Sequence, residues 1–333
     1  MADIPFVAPL DDVRYGAVEQ VSPLVRRVIA KNPSKYSYRG TGTYIIGHGD
    51  VAVIDPGPSL DDHRDALAAA LQGERVRAIL VTHCHSDHSP LAAWLRDYSG
   101  APTIAFGPHG AVDDDADNDA DNDADNDADD DAESDMTTDA KADAPTADKV
   151  EEPIDVGFMP DVRAVDGSLV AQTSGWTIRA VHTPGHTSNH LCFALSQEHA
   201  LFTGDHVMGW STTVVSPPDG DMRAYMDSLR KVIDRDDRTL WPTHGNPVTE
   251  PQLFLAAYLA HRVEREAQVL AQVRAGVGSI KEIVKVLYAN VNVELHKPAG
   301  RSVLSHLIKL VADEVVVVDD GAAPSLRSSF RPR

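Results

Sequence analysis

One short segment of the chain brings together side chains that can bind metal ions. Four of them lie within six residues, directly after an apolar run at 77–82 that predicts a buried strand. They are His83, His85, Asp87 and His88. Residues two apart in an extended strand point to the same side, so His83 and His85 can reach one ion. Asp87 and His88 follow where the chain turns into a predicted helix, and they can aim at a second ion beside the first.

Three further candidate ligands follow other predicted strands. Each stands in a turn that contains glycine or proline and can point the side chain inward. They are His186, Asp205 and His244. Seven imidazole and carboxylate groups suit two Zn²⁺ ions per chain, and Mn²⁺ or Fe would also be accommodated.

A pair of bound metal ions would give the chain hydrolytic chemistry. Two cations about 3.5–4 Å apart lower the pKa of a bridging water toward neutrality. The resulting hydroxide can attack a carbonyl carbon or a phosphorus, so the sequence predicts a metal-dependent hydrolase of an ester-type bond. Asp87 and Asp205 are the predicted catalytic carboxylates. His190 is a third candidate, and it either donates a proton to the substrate or supports the ligands.

Other polar residues beside the candidate ligands are expected to support the fold or the ligands. Cys84 lies between two ligands in a strand and is expected to point away from the ions, into the core. His182 and His206 flank ligands and are expected to be structural. Asp55, at the end of a predicted strand, either orients a ligand histidine or caps the turn before Pro56.

Strands and helices alternate in the region that must position these residues. Strands are predicted at 43–47, 51–55, 77–82, 103–106, 176–182, 190–195, 200–203 and 239–241. Amphipathic helices are predicted at 61–71, 90–98 and 222–233. This order is typical of an α/β fold in layers, and we expect a catalytic domain over residues 1–252.

From residue 251 the pattern becomes helical. A long helix runs to about Arg274, Ser279 caps a second helix at 280–288, and a third runs from about 300 to 313. Four valines at 315–318 then predict a strand. Helix, turn, helix and strand within about 40 residues is a winged-helix-like order. We therefore expect a winged-helix-like module at 253–320, followed by a basic tail at 321–333.

The net charge of −21 is concentrated in one segment. Residues 113–152 hold 19 of the 51 acidic residues and two of the 30 basic ones, which leaves a net charge of −4 for the rest of the chain. An Asp-Ala-Asp-Asn repeat and the scarcity of large apolar side chains predict a disordered acidic insertion in the first domain. The segment contains no glycine, so it does not match an EF-hand calcium loop.

The ligand pattern resembles that of the metallo-β-lactamase superfamily, over about residues 43–245. Members of that superfamily fold as an αββα sandwich with the metal site at the sheet edges. The assignment that the resemblance implies is His83, His85 and His186 for the first ion, Asp87, His88 and His244 for the second, and Asp205 as the bridge. A bridging Asp resembles glyoxalase-II-like and ribonuclease-like hydrolases, whereas secreted true lactamases have a Cys there and carry signal peptides.

A narrower resemblance reaches the C-terminal region. The long-helix residues, the segment 209–214 and the winged-helix-like end resemble the lactamase-β-like endoribonuclease branch. The long-helix residues in question are His261, Arg262, Arg265, Glu266 and Gln268. Two substrate classes remain open: single-stranded RNA, by resemblance, and a small acyl compound such as the thioester or lactone of a glyoxalase-II-like enzyme. The complete ligand set disfavours a regulator with a vestigial metal domain.

Charge and composition bear on the substrate and on partners. Outside the insertion, residues 1–252 carry 17 basic and 24 acidic groups, and 253–320 carry eight of each, whereas nucleic-acid binding normally leaves a basic footprint. No apolar run approaches the roughly 20 residues of a membrane helix, and the N-terminus lacks a signal-peptide pattern. We therefore expect a cytoplasmic protein with no membrane partner, and a homo-oligomer is left open. Two cysteines exclude a disulfide scaffold.

Overall fold

The structure is a computed structural model that describes residues 3–111, 153–289 and 296–333. The acidic insertion predicted at 113–152 lies outside the described residues. None of the helices in the described ranges combines the length and the apolar content needed to cross a bilayer.

The first sheet has seven strands among the described residues. Their bounds are β1 Val18–Gln20, β2 Val25–Ile29, β3 Gly42–Ile46, β4 Asp50–Ile54, β5 Arg75–Leu80, β6 Thr103–Ala105 and β7 Val162–Arg163. They lie side by side in chain order, antiparallel from β1 to β4 and parallel from β4 to β7. Parallel neighbours need crossover connections, and helices α1 (Asp61–Ala70) and α2 (Leu91–Ser99) lie in the crossovers from β4 to β5 and from β5 to β6.

The second sheet has five strands among the described residues, in the order β12-β11-β10-β9-β8. Their bounds are β8 Leu169–Gln172, β9 Thr177–His182, β10 Leu191–Leu195, β11 Ala200–Gly204 and β12 Thr239–Pro242. Strands β8 to β11 are antiparallel neighbours, and β11 and β12 are parallel, joined through α3 (Met222–Ile233). Strands β9, β11 and β12 therefore run in the same direction, so their C-terminal ends lie along one edge of the sheet.

The two sheets pack face to face and each carries helices on its outer face. Tyr44 and Ile54 of the first sheet share a buried apolar cluster with Phe193 and Phe202 of the second. On the outer face of the first sheet, Leu67 of α1 and Leu95 of α2 are buried against Val53 and Ile79. On the outer face of the second sheet, apolar residues of α3 are buried against β10 to β12. This arrangement confirms the predicted αββα sandwich.

The C-terminal region begins with a long helix that belongs to two cores. Its elements are α4 Pro251–Arg274, α5 Ile280–Leu287, α6 His296–Ala312, β13 Val316–Val318 and β14 Phe330–Pro332. Phe254 and Tyr258 of α4 pack in the core of the second sheet, whereas Val269 and Val273 pack with α5, α6 and the β13–β14 hairpin. The predicted winged helix is confirmed. The predicted boundary at 252/253 falls inside α4, a helix that packs in both cores, and it stays a prediction.

The C-terminal elements differ from expectation in two details. The Ser279 hydroxyl accepts a hydrogen bond from the Glu282 N–H, as the predicted cap requires, but α6 begins at His296 instead of near residue 300. The basic tail is also partly structured: Phe330–Pro332 pairs antiparallel with β13, and Arg333 forms an ion pair with Glu314.

Candidate metal centre

The seven candidate ligands converge at the edge where the two sheets meet. The segment 83–88 follows β5, and His186, Asp205 and His244 follow β9, β11 and β12. The edges are held together by hydrogen bonds, among them one from the Thr243 hydroxyl to Asp55 (3.0 Å) and one from the Tyr44 hydroxyl to the Pro242 carbonyl (2.6 Å). Residues that are far apart in the chain therefore occupy one site.

Among the described residues, the candidate ligands form two adjoining groups. Within each group the potential ligand atoms lie within 4.8 Å of one another, and every member is buried. The first group is His83, His85, His186 and Asp205, and the second is Asp87, His88 and His244. The structure thus brings together every ligand that the sequence proposed, in the two groups that the resemblance implies.

The first group is compact. Nδ1 of His85 lies 3.0 Å from Nε2 of His83 and 3.3 Å from Nε2 of His186. Oδ2 of Asp205 lies 3.8 Å from Nε2 of His186. Three imidazole nitrogens and a carboxylate oxygen therefore surround one point, which is a donor set that suits a divalent metal ion.

Asp205 also reaches the second group. Its Oδ1 lies 3.3 Å from Nε2 of His244 and 3.7 Å from Nε2 of His88. Asp87 closes that group, with Oδ2 at 3.2 Å from Nε2 of His244 and Oδ1 at 3.5 Å from Nε2 of His88. One carboxylate oxygen of Asp205 faces each group, which is the geometry that a bridging ligand requires.

Backbone and side-chain acceptors orient four of these imidazoles. Nδ1 of His186 donates to the Val214 carbonyl (2.6 Å), and Nδ1 of His244 donates to the Gly40 carbonyl (3.2 Å). Nδ1 of His88 contacts the Asp55 carboxylate (2.9 Å) and Nδ1 of His83 contacts the Thr82 hydroxyl (3.0 Å). A proton held on Nδ1 leaves the lone pair of Nε2 directed at the centre. The Val214 and Gly40 carbonyls could not be predicted from the sequence, because every residue type has a backbone carbonyl.

Asp55 is the hub of this support. It is fully buried, and it accepts hydrogen bonds from the Thr82 N–H (2.8 Å) and from the hydroxyls of Thr82 (2.9 Å) and Thr243 (3.0 Å), in addition to its contact with His88. The first of the two interpretations of Asp55, orientation of a ligand histidine, therefore agrees with the contacts. The Thr41 hydroxyl supports Asp87 in the same way, at 2.8 Å from Oδ2.

The donor set fits divalent cations. Among the described residues, Oδ1 of Asp87, Nε2 of His88 and Oδ1 of Asp205 are buried and make no hydrogen bond. Buried polar atoms are rarely left unpaired, because each costs free energy when it leaves water. Nε2 of His88 lies 3.5 Å from Oδ1 of Asp87 and 3.7 Å from Oδ1 of Asp205, so these three atoms surround one point in the second group, and a cation bound there would satisfy them. Imidazole and carboxylate donors suit Zn²⁺, and also Mn²⁺ or Fe.

The electrostatics of the centre differ between its two groups. Burial, together with the neighbouring imidazoles, holds the pKa of His83 and of His85 well below the usual range, so both are neutral and able to coordinate. Burial alone would also lower the pKa of His88, but Asp87, Asp205 and Asp55 raise it to about 10. Burial raises the pKa of Asp87, but His88 and His244 more than offset this, and it stays well below its usual range.

Glycine is required where Asp205 enters the centre. Gly204 has a φ of +50°, and a Cβ at this position would lie 2.7 Å from Nε2 of His190 and 2.9 Å from Cβ of Thr82. Any other side chain would therefore push the ligand-bearing turn away from β5. The Thr203-Gly204-Asp205 motif carries this requirement in its sequence.

His190 lies behind the centre. It is fully buried; Nδ1 contacts the Thr183 hydroxyl (2.9 Å), and Nε2 accepts from the N–H of Asp205 (3.3 Å). These contacts agree with its interpretation as support for the ligands, and its use as a proton donor stays a prediction. His206 is fully buried, as a structural role requires, and Cys84 lies in the core, where burial raises the pKa of its thiol to about 12.

A pocket opens onto the first group. His85, His186 and Asp205 form its floor. Most of the accessible wall is apolar and comes from Tyr36, Ile154, Met208, Trp210, Val214 and Pro218. Polar groups are added by Lys35, His109, Thr187, Ser211, Thr212, Ser216 and Asp219. Such a pocket suits an apolar organic group held beside the centre. The sequence singled out 209–214 as a motif but did not indicate that it forms a wall, because this depends on contacts between distant loops.

Comparison with known proteins agrees with both parts of the fold. Residues 39–244 match the family described as the metallo-beta-lactamase superfamily, and residues 279–323 match the beta-lactamase associated winged helix domain.

Curated relatives match over most of their length. The chain is 30% identical over 324 residues to an atrochrysone carboxyl ACP thioesterase of Aspergillus chevalieri, which covers 93% of this chain and 87% of that protein. It is 29% identical over 300 residues to the atrochrysone carboxyl ACP thioesterase dmxR1 of a Cryptosporiopsis species, covering 85% and 76%. Among solved structures, a beta-lactamase domain protein from Burkholderia ambifaria has the same fold, with a TM-score of 0.69, 19% identity and coverage of 99% and 97%.

Proposed function

Because this chain belongs to the metallo-β-lactamase superfamily and is a hydrolase of that superfamily, we propose that it hydrolyses the thioester of an acyl compound. The observation that carries the proposal is the apolar pocket whose floor is formed by His85, His186 and Asp205. Relatives that match over most of their length are named acyl carrier protein thioesterases, which supports a thioester over the other ester-type bonds.

The proposed ligand assignment follows the two groups. His83, His85 and His186 hold one divalent cation, Asp87, His88 and His244 hold another, and Asp205 bridges them. We propose Zn²⁺ in both positions, with Mn²⁺ or Fe as alternatives that the same donors accept. Cations held there would supply Lewis acidity, which activates water as the nucleophile and polarises the thioester carbonyl.

The chain's own residues do the remaining work. Asp55, Thr41 and the backbone carbonyls hold the ligands in one orientation, so little reorganisation is needed during the reaction. The walls, including Met208 and Trp210, hold the acyl group and limit access of bulk water. A thiol has a pKa of about 8.5, so the sulfur can leave as an anion near neutral pH without a strong general acid.

RNA is the weaker alternative, and the structure gives a specific reason. Arg301 and Lys309 are basic residues of α6, a helix of the winged-helix region that could contact a nucleic acid. Arg301 instead donates to the Ser216 hydroxyl (3.3 Å) and the Pro217 carbonyl (3.4 Å), and Lys309 pairs with Glu266 (2.9 Å). Both side chains are engaged by the protein, whereas phosphate binding needs exposed cations.

Parallel assays on the full chain test the proposal. The protein is loaded with Zn²⁺, and thiol release from an acyl-pantetheine thioester is compared with cleavage of a lactone and of single-stranded RNA. We expect thiol release that a chelator stops and added Zn²⁺ restores, and that is lost in His83→Ala and Asp205→Ala. His48→Ala, at an exposed histidine, is the control and should keep full activity. Chelator-sensitive RNA cleavage without thiol release would reject the thioester.

A further inference from the structure

Two buried residues of α4 form hydrogen bonds with the loop that follows Asp205. The Tyr258 hydroxyl accepts a hydrogen bond from the Thr213 N–H (2.7 Å) and donates to the Ser211 carbonyl (2.8 Å). Nη2 of Arg262, one helical turn later, donates to the Thr213 carbonyl (2.5 Å). Tyr258 is 0% exposed and Arg262 is 3% exposed. We call residues 211–214 the clamped segment.

The clamped segment touches the candidate metal centre at two points. The Thr213 hydroxyl lies 2.9 Å from the Asp205 carbonyl, to which it donates a hydrogen bond. The Val214 carbonyl accepts from Nδ1 of His186 at 2.6 Å. These two ligands are members of the first group, and the contacts set the direction of one imidazole and the path of the backbone that carries the bridging carboxylate. The second group makes its orienting contacts elsewhere, with Asp55, Thr41 and Gly40.

Burial of Arg262 at this point is costly unless its charge is well solvated by protein groups. Its guanidinium lies 5.1 Å from the centre of the Tyr225 ring, which offers a cation–π contact, and the Tyr225 hydroxyl donates to the His206 carbonyl (2.8 Å). Arg262 therefore contacts Thr213, which is hydrogen-bonded to the Asp205 carbonyl, and Tyr225, which is hydrogen-bonded to the carbonyl of the residue after Asp205. A cation directed at backbone in this way positions the backbone more firmly than an apolar side chain could.

We propose that Tyr258 and Arg262 are positioning residues of the metal centre, which act through the clamped segment on His186 and Asp205. The same helix continues into the C-terminal core through Val269 and Val273, so the winged-helix module is mechanically joined to the first metal position. This proposal rests on the ligand roles proposed above for His186 and Asp205. It does not depend on the identity of the substrate.

Zinc affinity provides the test. Tyr258→Phe removes one oxygen and leaves the ring, so the Thr213 N–H and the Ser211 carbonyl lose their partner with little change of volume. Zinc binding to the full chain, measured by competition with a chromophoric chelator, should show one position weakened about 10–100-fold, the usual effect of removing a group that orients a ligand. Arg262→Lys should act in the same direction, because an amine lacks the planar fork of the guanidinium. Tyr98→Phe, at an exposed tyrosine, and Arg274→Lys, at an exposed arginine of α4, are the matched controls.

The outcomes separate the two proposals. If Tyr258→Phe lowers the urea stability of the chelated protein but leaves both zinc affinities unchanged, its role is structural and the inference is overturned. Wild-type protein that binds no zinc would overturn the ligand assignment and the inference together. Wild-type protein that binds zinc but releases no thiol would reject the thioester alone, and the loss of affinity in Tyr258→Phe would then still support the positioning role.

Discussion

Asp55→Asn should weaken zinc binding at the centre although it replaces none of the candidate ligands. In the wild-type chain, Oδ2 of Asp55 accepts from the hydroxyls of Thr82 and Thr243 and contacts Nδ1 of His88, whereas Oδ1 accepts from the Thr82 N–H. An asparagine has one oxygen for these four donors. Its oxygen will occupy the position that three donors share, so its NH₂ group will face the Thr82 N–H, and neither can accept.

The size of the effect follows from those contacts. A buried N–H left without an acceptor costs about 1–3 kcal/mol. The contact with His88 also changes from a charge-assisted bond, worth about 1.5–3 kcal/mol, to a neutral one worth about 1 kcal/mol. We therefore expect a loss of about 2–4 kcal/mol in the free energy of unfolding of the chelated protein. Zinc affinity should fall about 10–100-fold, because His88 is less firmly held in the coordinating tautomer.

Urea unfolding of the chelated protein and zinc competition measure the two effects separately. Asp62→Asn makes the same substitution at an exposed carboxylate in the first turn of α1 and should change neither quantity by much. Stability within about 0.5 kcal/mol of wild type, with zinc affinity within about twofold, would refute the reasoning, because surface substitutions alone have effects of that size.

Three further outcomes are expected. Zinc binding at pH 8 should release a proton, because the pKa of His88 is raised to about 10 and its Nε2 must lose that proton to coordinate. Calorimetry in buffers of different ionisation enthalpy measures this release, and a binding enthalpy that is the same in every buffer would contradict it. Trp210→Ala should raise the KM for an acyl thioester about tenfold, the equivalent of 1.4 kcal/mol of lost apolar contact, while Tyr98→Ala leaves it unchanged. Lys309→Ala should destabilise the C-terminal packing by about 1 kcal/mol at pH 7. The two carboxylates that pair with Lys309 are Glu266 and Asp313, and their pKa values are lowered from the ordinary 4.5 and 3.8. The difference in free energy of unfolding between Lys309→Ala and wild type, measured in urea, should therefore shrink as pH falls below about 4. A difference that stays constant with pH would count against the ion pairs.

The ligands could be predicted from the sequence because each is tied to a local signal. His83 and His85 share one side of an extended segment, and the Thr203-Gly204-Asp205 turn shows by its glycine that a close approach is needed. A strand end followed by a polar residue can be identified from the sequence. The meeting of the two sheet edges then makes the candidates one site.

Elements whose stability depends on distant partners were missed. Strand β2 contains Arg26 and Arg27, which interrupt its apolar run, yet both are buried. Arg26 pairs with Glu74 (2.9 Å), and Arg27 pairs with Glu19 (2.8 Å) and donates to the Gly245 carbonyl (2.9 Å). Glu74 and Gly245 are far from β2 in the sequence, so the local pattern does not indicate that these arginines are buried. Strand β14 was missed for the same reason, because its pairing with β13 is all that defines it.

Assembly of the centre from both sheets has a consequence for the timing of folding. His186 and His85 are 101 residues apart in the chain, and Thr243 and Asp55 are 188 apart, so neither pair can form before the sheets have docked. An ion can therefore be captured only late, unlike the ion of a zinc finger, which organises a short segment from the start. Interactions that are absent from the transition state slow unfolding and leave the folding rate unchanged. Zinc should therefore lengthen the lifetime of the folded chain without helping the chain to reach that state sooner.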